Sequence, residues 1–217
     1  MTTAEKLVIV AENQQRVYEA GYAKGIAVGG GDDYYDRFWD AFQAEGERVN
    51  YQYAFAYDRF NDETYNPKYP INTKSGSTPC RYAFYQAKGI TDTKVPIYAN
   101  ASNCDYMFGQ CDALETIREL RVLETQSFTE TFNWCNVLKN VVFTGTIGKS
   151  INLSYSPLTP ESMKSVISCL KNYSGTSSEL VNTISFTGAC WAALEADSTA
   201  PDGGTWEEYV YNLGWNT

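Results

Sequence analysis

Residues 108–117 read FGQCDALETI, and residues 132–141 read FNWCNVLKNV. Phe108, Cys111, Leu114 and Ile117 thus return as Phe132, Cys135, Leu138 and Val141, 24 residues on (108 to 132). The same interval separates Cys80, Tyr82, Phe84 and Ile90 from Cys104, Tyr106, Phe108 and Leu114. Upstream, Tyr53-Ala54-Phe55 matches Tyr82-Ala83-Phe84 at an offset of 29 (53 to 82). Within a unit the apolar residues fall at every third position and then alternate, as in Leu120 and Val122 or Val141 and Phe143. A period of three followed by a period of two predicts a tight, 3₁₀-like turn leading into a short strand.

Units of about 20–29 residues, each a strand plus a helix or 3₁₀ piece, are the sequence sign of leucine-rich-repeat architecture. One such unit cannot bury its own apolar face, so neighbours stack and place equivalent side chains above one another. The expected fold class is an α/β repeat: a leucine-rich-repeat-like solenoid with short parallel strands over residues 50–156. An N-terminal helix precedes it, and a helical, aromatic C-terminal repeat and cap over residues 157–217 closes it. The expected core ladder comprises Phe55, Phe84, Phe108 and Phe132, with Cys111 over Cys135 and Leu114 over Leu138. Cysteine is often fully buried as a small apolar side chain, which makes the six cysteines candidate rungs. Neighbouring strands lie ~4.8 Å apart, which leaves disulfide geometry open too.

Tyr82-Ala83-Phe84, the Phe-x-x-Cys-x-x-Leu-x-x-Ile series from Phe108 to Ile117, and residues 132–144 resemble BspA-type leucine-rich repeats. Residues 151–163 (INLSYSPLTPESM) are similar to the closing segment of short members carried by phages and prophages of anaerobic Firmicutes, and residues 11–22 (AENQQRVYEAGY) to their leaders. The resemblance covers roughly residues 50 to 190 and the leader. The chain departs from the pattern in two places: residues 53–71 lose the three-residue spacing after Phe55, and no Leu-x-x-Leu-x-Leu-x-x-Asn string occurs. The resemblance implies adhesive or receptor-contacting surface proteins, and for the phage-borne members virion parts of a tail, fibre or baseplate. The expected location is therefore the virion, with synthesis in a bacterial cytoplasm.

Thr2 with Glu5 forms a capping box, and residues 4–24 hold strong helix formers without proline. Leu7, Val10, Gln14 and Val17 then share one seam, a candidate surface for oligomerisation or docking. A helix packed on its own domain and a short parallel coiled coil, for instance a homotrimer, both fit that seam. Gly29-Gly30-Gly31 reads as a linker ending the segment 1–31, since no phosphate-loop Lys-Ser/Thr follows it. The segment 32–49 is expected to be an amphipathic capping helix, with Tyr35, Phe38, Trp39 and Phe42 on one face. At the far end, Thr159-Pro160-Glu161 opens a helix carrying Met163, Val166, Ile167 and Leu170 on one stripe, with Gly175 as its stop. Residues 180–188 (LVNTISFTG) echo residues 138–145 (LKNVVFTG) and read as a last strand. Trp191, Trp206, Tyr209, Tyr211 and Trp215 fit either a sealed cap or stacking on sugars, with residues 201–204 as a turn.

Composition narrows the function classes. Across 217 residues, Lys+Arg 17 against Asp+Glu 26 gives a net charge of −9, the wrong sign for a nucleic-acid backbone. The chain contains no histidine, the usual base of nucleophilic catalysis and the commonest metal ligand. No cofactor and no metal site is expected. The longest early apolar run, Leu7 to Ala11, lies between Glu5 and Glu12, so neither a signal peptide nor a membrane span is expected. Asp32, Asp33 and Asp36, or Asp58, Asp62 and Glu63, are candidate carboxylates for glycan cleavage, but their spacing defines no pair and lacks the EF-hand pattern. Seventeen tyrosines favour recognition, because rigid amphipathic rings give contact area at low entropic cost. Tyr57, Tyr65, Tyr85 and Tyr98 are the expected recognition surface, whereas Tyr82 and Tyr106 share a repeat position that suits a rung. Three readings follow: a non-enzymatic virion protein that contacts a host surface protein, a glycan or a neighbouring virion protein; a purely structural decoration protein; and a glycan-degrading virion enzyme.

Overall fold

The computed structural model describes residues 48, 50–57, 60–67 and 69–217. The N-terminal helix with Leu7, Val10, Gln14 and Val17, the glycine linker, the helix expected within 32–49 and Asp58 lie outside the described residues. In chain order come β1 (Ile71–Asn72), β2 (Ile97–Tyr98), β3 (Thr116–Val122), β4 (Asn140–Gly145), β5 (Ile151–Asn152), α1 (Pro160–Ser168), β6 (Ile184–Ser185), α2 (Gly188–Asp197) and α3 (Trp206–Asn212). The first four strands form one sheet in the order β1-β2-β3-β4, and β5 pairs with β6 in a second. Every pairing is parallel. The protein thus has α/β character, with short parallel strands.

Parallel strands need crossover connections. Between β1 and β4 the period-three segments supply these as trains of tight turns. Met107 N–H bonds Cys104 O at 3.0 Å, Gly109 bonds Tyr106 at 3.2 Å and Cys111 bonds Phe108 at 3.2 Å. The intervening amides donate instead to the next unit: Phe84 to Met107 at 2.8 Å, Phe108 to Thr131 at 3.0 Å, and Gln110 to Asn133 at 2.7 Å. The backbone reaches both sets of acceptors by turning left-handed twice per unit. Tyr82 and Gln86, Tyr106 and Gln110, and Glu130 and Trp134 all have φ between 55° and 61°. Each such residue costs roughly 1–2 kcal/mol when it carries a Cβ. For Tyr82, Gln86, Tyr106 and Gln110, an amide bond into the next unit, 2.7–3.3 Å long, offsets that strain.

Side chains pointing inward repeat at the same interval. Phe55, Phe84, Phe108 and Phe132 stack in series, with ring centroids 4.8, 5.2 and 5.8 Å apart. Leu114 and Leu138 are buried beside them. Ile71, Ile97, Leu120 and Phe143 hold matching positions across β1 to β4, so alternation in the strands buries one more row. The offset of 29 in the first unit is real in space, since both Tyr53 on Tyr82 and Phe55 on Phe84 are stacked neighbours. Most of the extra residues lie between Phe55 and β1, where Phe60 and Tyr65 turn edge-on to the Phe55 ring, and the rest lie between β1 and Phe84.

All six cysteines are buried, and no disulfide joins any two of them. Cys111 and Cys135 are more than apolar rungs. Each thiol donates to the carbonyl of a phenylalanine one unit earlier: Cys111 to Phe84 at 2.9 Å and Cys135 to Phe108 at 3.1 Å. Burial pushes the Cys135 thiol from 9.0 up to about 12. Cys104 is also raised, by its contact with Cys80 and by burial, while the same contact lowers Cys80, so that pair's effects oppose each other and Cys135 carries the trend. An unfolded chain releases the Cys135 proton near 9.0, whereas the folded one keeps it until about 12. The contribution to stability is therefore complete below pH 9 and falls between those values by about 1.4 kcal/mol per pH unit for this group. The buried phenol of Tyr65 is raised as well and adds a fall of the same sign. Denaturant unfolding at pH 8 and pH 10.5 should show a clearly lower midpoint at the higher pH; equal midpoints would contradict the protonated, buried thiols.

The closing region begins as its residues predict. Thr159 caps α1, its side chain accepting from Ser162 N–H, with Pro160 in the first turn and Met163, Val166 and Ile167 buried. The helix stops at Ser168, however, well before Gly175. Cys169 and Lys171 leave it to bond Ile147: Ile147 N–H reaches Cys169 O at 2.7 Å and Lys171 N–H reaches Ile147 O at 2.9 Å. The segment 180–188 does contain a strand, β6, but its partner is β5 rather than the four-stranded sheet. The second sheet thus joins residues on both sides of position 156. The tail packs as a seal, with Trp191, Trp206 and Trp215 buried while Tyr211 remains exposed. Trp215 Nε1 donates to Lys171 O at 2.8 Å, and Trp206 Nε1 to Ser198 O at 2.7 Å.

Candidate recognition surface

The left-handed turns aim a row of aromatic side chains outward from the phenylalanine ladder. Tyr53, Tyr82 and Tyr106 stack nearly parallel, with centroids 4.8 and 4.9 Å apart at 6° and 9°. This is a rung, as their repeat position predicts, yet Tyr82 and Tyr106 are only half-buried. Tyr85 stands edge-on to both, at 5.4 and 6.1 Å, and Tyr57 stands edge-on to Tyr85 at 5.9 Å. Gly109 makes room for Tyr85, because a Cβ there would lie 3.2 Å from the tyrosine ring. Tyr98 sits apart on β2, with the Arg121 guanidinium 5.8 Å above its ring.

Tyr57, Tyr85 and Tyr98 are therefore half-buried side chains whose edges reach the surface. Tyr65 is not part of that surface. It is 0% exposed, and its hydroxyl donates to Thr93 O at 3.0 Å, which makes it a core residue anchoring the first unit to the second. Its fate is set by a partner 28 positions away, which local spacing does not reveal.

The most exposed aromatic pair carries no repeat signal of its own. Trp134 is 51% and Tyr155 38% exposed, and the two rings stack at 5.4 Å and 29°. Trp134 is the left-handed residue that succeeds Gln86 and Gln110, whose amides bond each other at 2.7 Å. Next to it in the chain, Asn133 lines a cleft of about 430 Å³ between the turn train 125–133 and the second sheet. Hydroxyl and amide side chains dominate its walls, including Thr129, Ser150, Asn152, Asn182 and Thr183. Phe128 forms part of its floor, and Glu130 and Lys149 are its charged groups among the described residues.

Carboxylates elsewhere hold units together. Asp62 accepts from Thr91 N–H at 2.9 Å and Oγ1 at 2.6 Å, and Asp105 from Ser127 Oγ at 2.6 Å and Thr129 N–H at 2.9 Å. Asp92 pairs with Arg118. Among the described residues no group of His, Cys, Asp and Glu could hold a metal ion. No helix among them is long and apolar enough to cross a membrane. Compared with known proteins, the chain is matched by no family model, no curated protein and no solved structure.

Proposed function

We propose that the chain is a leucine-rich-repeat-like solenoid acting as a non-enzymatic recognition protein of a phage or prophage particle. In this reading the repeat surface contacts a host surface or a neighbouring virion protein, and residues 1–31 dock the chain onto the particle or onto copies of itself. The observation that carries recognition is the exposed Trp134–Tyr155 pair, set at the end of the stacked phenylalanine series. The resemblance of roughly residues 50 to 190 to BspA-type repeats, and of the leader and closing segment to phage-borne members, supports the virion setting. A binding rather than cleaving role is favoured because Glu130 is the sole carboxylate lining the cleft among the described residues, where glycoside hydrolysis uses two.

The test is binding of the labelled full chain to intact cells of a panel of anaerobic Firmicutes. Saturable binding at micromolar concentration to at least one strain is expected. Absence of binding across the panel would sink the recognition reading in favour of a purely structural decoration protein. Release of reducing ends from cell-wall polysaccharide would instead favour the virion enzyme.

A further inference from the structure

We infer that the cleft between the turn train 125–133 and the second sheet binds a neutral oligosaccharide, with the Trp134–Tyr155 pair as a stacking platform beside it. This inference rests on the recognition reading and gives it a ligand class. Three independent features of the cleft point to sugar. Its walls are short hydroxyl and amide side chains, donors and acceptors at once, which suits a ligand covered in hydroxyls. Lys149 and Glu130 are one positive and one negative group, so the lining carries no net charge to select an ionic ligand. The Trp134–Tyr155 pair beside Asn133 stays partly exposed to solvent rather than being used in the core, an arrangement that costs hydrophobic burial and offers apolar ring surface to the flat faces of pyranose rings.

Asn133 adds a fourth feature. Its Nδ2 donates to Glu130, while its Oδ1 has no hydrogen-bond partner. A buried acceptor left unmatched costs about 1–3 kcal/mol, and a ligand hydroxyl drawn into the cleft, with a modest turn of the amide, supplies the missing donor. The side chains involved come from three stretches, 125–133, 149–152 and 182–185, the last two held in register by the β5–β6 pair. The site is thus pre-formed by the closing segment rather than by any single repeat.

The experiment measures the full chain against α-mannan, galactan and β-glucan by affinity electrophoresis and calorimetry, with lipoteichoic acid as the anionic control. Three variants accompany it: Trp134→Gly, Asn133→Ala and, on the tyrosine face, Tyr82→Phe. Glycine suits the φ of 60° at position 134, so Trp134→Gly removes the ring without straining the turn, and an unchanged melting temperature verifies its fold. Binding to at least one neutral polysaccharide is expected, weakened at least tenfold by Trp134→Gly and by Asn133→Ala but not by Tyr82→Phe. No binding to any neutral polysaccharide, binding to lipoteichoic acid alone, or wild-type affinity in both cleft variants would overturn the inference. Cell binding that persists in those cases leaves the recognition reading standing, whereas loss of all cell binding removes both.

Discussion

Gly145→Ala is expected to unfold the protein or force β4 out of its place, with a loss of more than about 4 kcal/mol. Gly145 ends β4 at φ +92°, and a Cβ built there would lie 2.1 Å from the carbonyl oxygen of Val122, its partner on β3. That contact is with backbone, so no side-chain rotation relieves it. The left-handed strain of a non-glycine residue adds to the overlap. A stability of about 5–15 kcal/mol is typical of a domain, so this single methyl removes a large part of it. Circular dichroism of the purified variant should show lost or strongly broadened thermal unfolding. A melting temperature within a few degrees of wild type would mean that β3 and β4 are not paired as described.

Phe108→Ala should lower stability by about 3–5 kcal/mol while leaving a folded protein. Phe108 is fully buried between Phe84 and Phe132, at 5.2 and 5.8 Å. The rings above and below cannot close the gap, because hydrogen bonds at 2.8 and 3.0 Å fix the spacing of successive units at this position. The cavity therefore stays open, the condition under which large-to-small changes cost most. For a chain of this size the melting temperature should drop by roughly 6–20 °C. Val181→Ala, at an exposed position, should change stability by less than about 0.5 kcal/mol and serves as the comparison.

The ladder was legible because the same side chains recur at one interval, and burial of Phe, Cys and Leu rungs needs no information beyond that interval. The start of α1 was legible from Thr159-Pro160-Glu161, since capping is local chemistry. Its end was not, because Ile147 captures the following backbone from outside the segment. The left-handed turns were hidden for a different reason. Tyr, Gln, Glu and Trp carry no intrinsic preference for positive φ, and at Tyr82, Gln86, Tyr106 and Gln110 the conformation is held by bonds to the next unit. Tyr65 was misplaced because its hydroxyl partner lies in another unit. Of the candidate site, the sequence offered aromatic abundance but not Trp134, which breaks the tyrosine and glutamine pattern of earlier units. The cleft itself was invisible, because its walls come from three stretches distant in the chain, two of them brought together by the β5–β6 pairing.

The central claim, that segments 24 residues apart lie one upon the next, is open to a direct measurement. Nuclear Overhauser contacts between phenylalanine rings, in protein labelled at Phe alone, report which rings are neighbours. Contacts from Phe84 to Phe108 and from Phe108 to Phe132, with none between Phe84 and Phe132, are the expected result. Absence of the two sequential contacts in the folded protein, or a strong contact between Phe84 and Phe132, would contradict it.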